Sequence, residues 1–372
     1  MRTFDFIIAG AGPAGSYTAL KLSEYGFKVG LVDKYEFPRK KLCGGCISAR
    51  ASILLPKGWE SLILSKIKEG IIGYSGKEYI SKISNEIVAY IIRRSDFDYF
   101  LVKKAIEKHA HFFESCEVRD FKEEKEHVEV ITSQGTFKTK YLIGADGFFS
   151  IIAKKLGYKK NKYYRSVEAF IEGSIENRVI IELGYVKRGY LWLFPAGCGK
   201  VSVGVASTGN ENLSKLLGNY IISKLDTSNF KIRGWFIPFV EREKDICLGK
   251  GRILLIGDSA NMTDPLIGEG IYYSMLAGSL LAKSAKENFE NLALAYRDEV
   301  KHKILREFIY AGKIANLAYR FQYVAFSMAK GSIIESYFNL LTGKSNYRSI
   351  YLRGLPFFAI NFDRIIKQCL KR

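Results

Sequence analysis

Histidine is scarce in this sequence: there are four (His109, His111, His127 and His302) in 372 residues, and they do not combine with the cysteines into a metal site. Cys43-Gly44-Gly45-Cys46 has CxxC spacing. No second CxxC accompanies it, which argues against structural zinc and leaves either a dithiol or a single functional thiol. Six cysteines in a chain this long do not make a disulfide framework. No run of about 18 uncharged apolar residues occurs, so no spanning helix is expected. The apolar N-terminal stretch is interrupted by glycines and followed by no small-residue cleavage site, which predicts a mature cytoplasmic N-terminus rather than a targeting segment. Internal repeats and low-complexity segments are lacking too. Glutamine is rare (Gln134, Gln322 and Gln368), and beside many Ile, Lys, Glu and Tyr this fits a heat-adapted composition.

Positive charge, by contrast, is plentiful. Lys and Arg number 57 against 38 Asp and Glu, a formal net charge of +19. The lysines are spread rather than clustered, which reads as a solvated surface; an acidic protein partner or an anionic membrane surface is the functional alternative. No nucleic-acid partner is expected. With 48% hydrophobic residues the chain can bury a large core, expected as two interleaved domains.

Residues 6–33, FIIAGAGPAGSYTALKLSEYGFKVGLVD, form a complete strand, turn, helix and strand unit. An apolar run leads into Gly10-x-Gly12-x-x-Gly15, a helical pattern follows, and a second apolar strand closes on Asp33. Gly10 permits the tight turn, Gly12 lets the backbone approach a pyrophosphate, and Gly15 allows close helix packing, with Ala14 in the same turn. Asp33 lies about 20 residues on, where a carboxylate accepts a hydrogen bond from an adenosine ribose hydroxyl. The unit therefore predicts a dinucleotide site.

Two further strand ends carry acids. Tyr141 to Ser150, YLIGADGFFS, ends in Ala145-Asp146-Gly147 before a helical stretch from Ile151 to Leu156. Arg252 to Gly270, RILLIGDSANMTDPLIGEG, ends its strand at Gly257-Asp258, and a loop with Pro265 and Gly268 leads to a helix near Glu269. In this order the three motifs resemble the flavoproteins related to p-hydroxybenzoate hydroxylase. The resemblance implies FAD. Asp258 would bind the ribityl chain, Gly268, Gly270 and Ile271 would lie near the isoalloxazine, and Asp146 and Gly147 match the middle motif. The helix N-terminus would point its partial positive charge at the flavin.

Four more matches resemble the geranylgeranyl reductases. Phe37-Pro38-Arg39-Lys40-Lys41-Leu42-Cys43-Gly44-Gly45 is similar to their KxCGG loop, and Arg94-Ser95-Asp96-Phe97-Asp98-Tyr99-Phe100-Leu101 to their RxxFDxxL helix start. Gly189-Tyr190-Leu191-Trp192-Leu193-Phe194-Pro195 is similar to GYxWxFP, and Pro265-Leu266-Ile267-Gly268-Glu269-Gly270-Ile271-Tyr272-Tyr273 nearly reads PLxGEGIxYA. The matches run from residue 6 to about residue 280, with no motif beyond. They add Cys43, Gly44, Gly45 and Arg94 to the cofactor set.

These anchors imply an α/β protein: a doubly wound, Rossmann-type FAD domain with an antiparallel-sheet substrate cap and a helical C-terminal region. The FAD domain is expected at 1–47, 93–157 and 246–288, the cap at 48–92 and 158–245, and the helical region at 289–372. Period-two alternation, as in Lys200-Val201-Ser202-Val203-Gly204-Val205, carries the cap expectation.

The resemblance implies reduction of isoprenoid C=C bonds, on archaeal-type membrane ether lipids or diphosphate precursors. A near acid must then protonate the second carbon, because an isolated alkene has no carbonyl to absorb charge. Cys43 and Tyr190 are the candidate acids. Tyr190, Trp192 and Phe194 share one strand face, as substrate lining or as an aromatic core stripe. Electrons would come from NADPH, bound without a Rossmann unit of its own, or from an acidic ferredoxin. The basic, aromatic C-terminal stretch (Tyr351, Arg353, Phe357, Phe358, Phe362, Arg364, Lys367, Lys371, Arg372) is a candidate for peripheral membrane contact, or else a terminal helix packed on the cap. The rival class is a flavin monooxygenase or halogenase. YLWLFP departs from the halogenase WxWxIP at Tyr190 and Phe194, and no relay lysine can be placed.

Overall fold

The computed structural model describes residues 2–328 and 334–360. Phe6, Ile7 and Ile8 on the strand Arg2–Ala9 are fully buried, and a strand covered on both faces has to read as a continuous apolar run. It pairs in parallel with Val29–Val32 and with Gly135–Gly144. His111–Phe113 and Ile253–Leu255 extend the parallel set at its two ends. The helices Pro13–Glu24 and Ile271–Glu287 approach closely because Gly278 has no side chain: a Cβ there would lie 2.7 Å from Thr18 Oγ1. Arg94–Glu107 packs beside the first of them.

The cap is a seven-stranded sheet in the order Arg233–Pro238, Tyr163–Glu172, Lys200–Ser207, Gly189–Gly197, Arg178–Leu183, Glu69–Tyr74 and Glu78–Ile83. Alternation sends Leu191, Leu193, Val201, Val203 and Val205 to one face, against the helix Leu213–Leu225. Tyr190, Trp192 and Phe194 take the other face, with Tyr164, Phe239 and Tyr319. The second face thus meets protein rather than open solvent. Of the segment 48–92, residues 69–83 lie in the cap sheet, whereas Cys46–Ser48, Ile63–Ile67 and Ala89–Ile92 form a separate three-stranded sheet.

After Ile271–Glu287 the described chain is helical, including Arg306–Arg320, Gln322–Met328, Ile334–Leu341 and Tyr347–Ile360. Among the described residues no helix is long and apolar enough to cross a membrane. Of the basic aromatic C-terminal stretch, Tyr351 packs against Tyr310; the side chains of Phe357, Phe358, Phe362, Arg364, Lys367, Lys371 and Arg372 lie outside the described residues.

Candidate active site

The first glycine turn is built by close approach. Gly10 has φ +102°, and a Cβ there would come within 2.4 Å of the Ala145 carbonyl; a Cβ on Gly15 would collide with the Gly10 carbonyl at 1.8 Å. Gly12 is different. Its missing Cβ would face only Arg39, at 3.2 Å from Nη2. The helix Pro13–Glu24 starts at Gly12 with no side-chain cap, so its first amides are left for an anion. Ala14 is buried in that first turn.

Cations converge on this opening. The Arg94 guanidinium forks onto the fully buried Asp98 at 2.8 and 2.9 Å, and Arg39 approaches the same carboxylate at 3.3 Å. Arg39 Nε is buried with no partner. Two guanidiniums on one carboxylate leave a net positive charge and an orphaned donor beside a bare helix N-terminus, a donor set that fits a pyrophosphate. Arg94 therefore serves partly through Asp98, and Arg39 is the cation that faces Gly12. Asp33 braces the loop: its oxygens accept from Ala11 N at 2.7 Å and Tyr35 N at 2.9 Å. Each oxygen keeps a lone pair for a ribose hydroxyl.

Asp146 accepts from Ile151 N at 2.9 Å, the first amide of the helix Ile151–Lys155, which Ser150 caps through Ala153 N. Its other oxygen is buried and unpartnered, and burial pushes its pKa up. Gly147, at φ +80°, leaves open space beside it. Asp258 ends the third strand, half-buried, and accepts from Thr263 Oγ1 at 3.2 Å. Two lysines flank it. Lys160 donates to the Asp258 and Ser259 carbonyls at 2.6 and 2.8 Å and to Asn261 at 2.7 Å. Lys41 lies 3.3 Å over the Trp235 ring. Burial pulls both down to about 8, opposed by the Asp258 charge.

The loop before Ile271–Glu287 is held residue by residue. Tyr164 donates to the Pro265 carbonyl and Tyr190 to that of Ile267, both at 2.6 Å, while Tyr319 takes the carbonyl of Leu266. Tyr347 donates to the Asp264 carboxylate, whose other oxygen accepts from Leu266 N at 2.6 Å and Ile267 N at 3.1 Å. Glu269 is clamped by Ser48 and Arg50, and Arg50 stacks over Tyr272 at 4.2 Å. With its carbonyls turned to tyrosines, the loop enters the helix through Gly268 (φ +71°) and Gly270, with no side-chain cap before Ile271. That terminus suits an electron-rich ring edge.

The Cys43-Gly44-Gly45 loop sits against the aromatic strand. A Cβ on Gly44 would be 2.8 Å from Phe194 and 3.3 Å from Trp192 Nε1; one on Gly45 (φ +69°) would strike the Ile92 carbonyl at 2.0 Å. Cys43 is half-buried beside Arg94, and its sulfur accepts from Gly45 N at 3.5 Å. Burial, with Glu269 near, pushes Cys46 up to about 12. The Tyr190 hydroxyl donates to the Ile267 carbonyl, and burial raises its pKa. Both facts oppose the expected acid role. Sequence reasoning missed Arg39, Lys41, Asp264 and Glu269 although all lie inside matched motifs. Arg50, Lys160, Tyr164, Tyr319 and Tyr347 gave no signal.

Residues 3–180 match the FAD binding domain. An uncharacterized protein of Methanosarcina barkeri is 29% identical over 376 residues, covering 95% of this chain and 94% of its own. The digeranylgeranylglycerophospholipid reductase of Methanococcus vannielii is 27% identical over 333 residues, 81% of this chain and 83% of its own. A geranylgeranyl bacteriochlorophyll reductase-like protein of Thermoplasma acidophilum shares the fold, with a TM-score of 0.81 at 19% identity over 100% of this chain and 99% of that one. Flavin-dependent brominases and halogenases share it as well. FAD is the cofactor, and the donor set above fits it.

Proposed function

We propose that this chain, a flavoprotein of which residues 3–180 match the FAD binding domain, is a reductase that saturates C=C bonds of geranylgeranyl chains on archaeal-type membrane ether lipids or their diphosphate precursors. The observation that carries this reading is the contact of the Cys43-Gly44-Gly45 loop with Trp192 and Phe194, which brings a thiol to an apolar aromatic wall. The relatives named digeranylgeranylglycerophospholipid reductase support it.

When bound and reduced, FAD would supply a hydride to one alkene carbon. The chain's residues do the rest. Arg39 and the Gly12 turn would hold the pyrophosphate, and Asp258 would accept from the ribityl hydroxyls. Trp192 and Phe194 exclude water and bed the prenyl chain, where each buried methylene contributes about 0.8 kcal/mol. Cys43 is the proton donor to the second carbon, and the Arg94 guanidinium stands beside the sulfur that would be left anionic. NADPH or a reduced acidic ferredoxin restores the electrons.

Incubating dithionite-reduced enzyme with a geranylgeranyl lipid and reading product mass tests this. Stepwise gain of hydrogen is the expected result. An added oxygen or halogen would move the protein to the monooxygenase or halogenase class.

A further inference from the structure

The cap face that carries Tyr190, Trp192 and Phe194 also holds a buried carboxyl, Glu168, only 3% exposed. Glu168, Gly204 and Trp192 stand level across three neighbouring strands. Trp192 Nε1 donates to Ser202 Oγ at 3.1 Å, and Ser202 donates onward to Glu168 Oε1 at 2.5 Å. An indole N–H can only donate, so it fixes the direction: the hydroxyl accepts from the ring and spends its own proton on the carboxyl.

Two glycines frame the same indole. A Cβ on Gly204 would fall 2.1 Å from the ring, so the indole lies on bare backbone, and its Nε1 edge faces Gly44 in the cysteine loop. The hydrogen bond to Ser202 therefore selects how the ring sits in a slot whose far wall is that loop.

We propose that Glu168 is a positioning residue of the reductase site: acting through Ser202, it sets the Trp192 indole against Gly44 and with it the seat of the Cys43-Gly44-Gly45 loop. This rests on the reductase reading for its consequence, but not for its geometry.

The device responds to pH. Desolvation pushes Glu168 up to about 7, opposed by its bonds from Ser202 and Trp192. Arg233 is level with it on the neighbouring strand, and Lys41 lies over Trp235 of that strand. Tyr190 stands on the same face as Trp192, and Cys43 precedes Gly44 in the loop. Glu172, farther along, pairs with Lys200 at 3.5 Å. Among the described residues no cation forms an ion pair with Glu168, so only the bonds from Ser202 and Trp192 offset its desolvation. The ionised carboxylate is the stronger acceptor, so the chain of bonds is tight above neutral pH and slackens below it.

The test reads tryptophan emission of the FAD-loaded enzyme against pH. The expected midpoint is about 7, and the transition is lost in both Glu168→Gln and Ser202→Ala. On a geranylgeranyl lipid, KM should fall several-fold between mildly acidic and mildly alkaline pH in the wild type and become flat in both variants. A transition that survives in Glu168→Gln overturns the proposal. Should that variant not fold, survival in Ser202→Ala, which keeps the carboxyl, overturns it equally. Loss of the transition in an enzyme that reduces no alkene would sink the reductase reading and leave the Glu168 link to Trp192 standing.

Discussion

The Tyr190 hydroxyl donates to the Ile267 carbonyl at 2.6 Å and so ties the aromatic strand of the cap to the loop that opens the helix Ile271–Glu287. Tyr347, Tyr164 and Tyr319 hold the three preceding residues in turn. Four consecutive loop positions are thus fixed from the cap sheet and the C-terminal helices.

Removing one of these hydroxyls leaves a buried acceptor without its donor, at a cost of about 1–3 kcal/mol. Tyr190→Phe and Tyr319→Phe should each lower the melting temperature and cut kcat in part, to similar degrees. If Tyr190→Phe instead abolished turnover with an unchanged melting temperature, Tyr190 would be a proton donor after all.

Arg50 and Glu269 join the segment after the cysteine loop to the loop before the helix, with side chains 8% and 7% exposed. Breaking a buried pair strands the remaining charge, typically at about 3–5 kcal/mol. Arg50→Met and Glu269→Gln should each be strongly destabilised in denaturant titrations, and the double variant should cost less than the sum of the two. Additive losses would mean that the pair is not coupled.

Arg39 is the test of the pyrophosphate cradle. Its Nε is buried without a partner, whereas Arg94 is spent on Asp98. Arg39→Gln should weaken FAD binding by about 1–3 kcal/mol and flatten the salt dependence of the remaining affinity, measured by flavin fluorescence. Asp258→Ala should lose affinity by a similar amount through unpaired ribityl hydroxyls. Wild-type affinity in Arg39→Gln would place the phosphates elsewhere.

The first FAD unit was legible because its physics is local. Gly10, Gly12 and Gly15 announce a turn and a helix terminus within six residues, and the apolar run of Phe6 to Ala9 announces a buried parallel strand. The two faces of the cap could be read from alternation at Tyr190, Trp192 and Phe194. What alternation could not show was the occupant of the second face. Tyr319 comes from a helix more than a hundred residues later, and no spacing rule links it to Leu266. Glu168 was hidden for another reason: within Ser166-Val167-Glu168 it reads as an outward polar residue, and only burial beneath Ser202 reverses that.

Glu168 also makes stability depend on pH. Its folded pKa is raised from 4.5 to about 7. The protonated form therefore favours folding, a contribution complete below 4.5 and lost as pH rises through about 7. The neutral isostere Glu168→Gln should gain on the wild type by up to about 3 kcal/mol across that interval, read as melting temperature against pH. Asp264, raised from 3.8 to about 6, adds a parallel slope that the variant retains. Parallel profiles for the two proteins would place the Glu168 carboxyl in water.

The two cysteines of the CxxC separate cleanly. Cys43 is half-buried in the loop that touches Trp192 and Phe194, beside the Arg94 guanidinium. Cys46 starts the strand paired to Ile91 and packs with Ile67, Ile91 and Phe338. Burial holds its thiol up at about 12, so almost no Cys46 thiolate exists at neutral pH to attack a partner sulfur. A dithiol relay must deprotonate Cys46 at one step, whereas a single proton donor at Cys43 leaves Cys46 unused. Cys43→Ser should keep FAD and thermal stability yet lose most alkene reduction, since a hydroxyl is a far weaker acid than a thiol. Cys46→Ser should keep turnover and lose stability, because a hydroxyl replaces an apolar sulfur in a packed cluster. Equal loss of activity in both variants at unchanged stability would restore the dithiol, and full activity in Cys43→Ser would return that residue to the loop as packing alone.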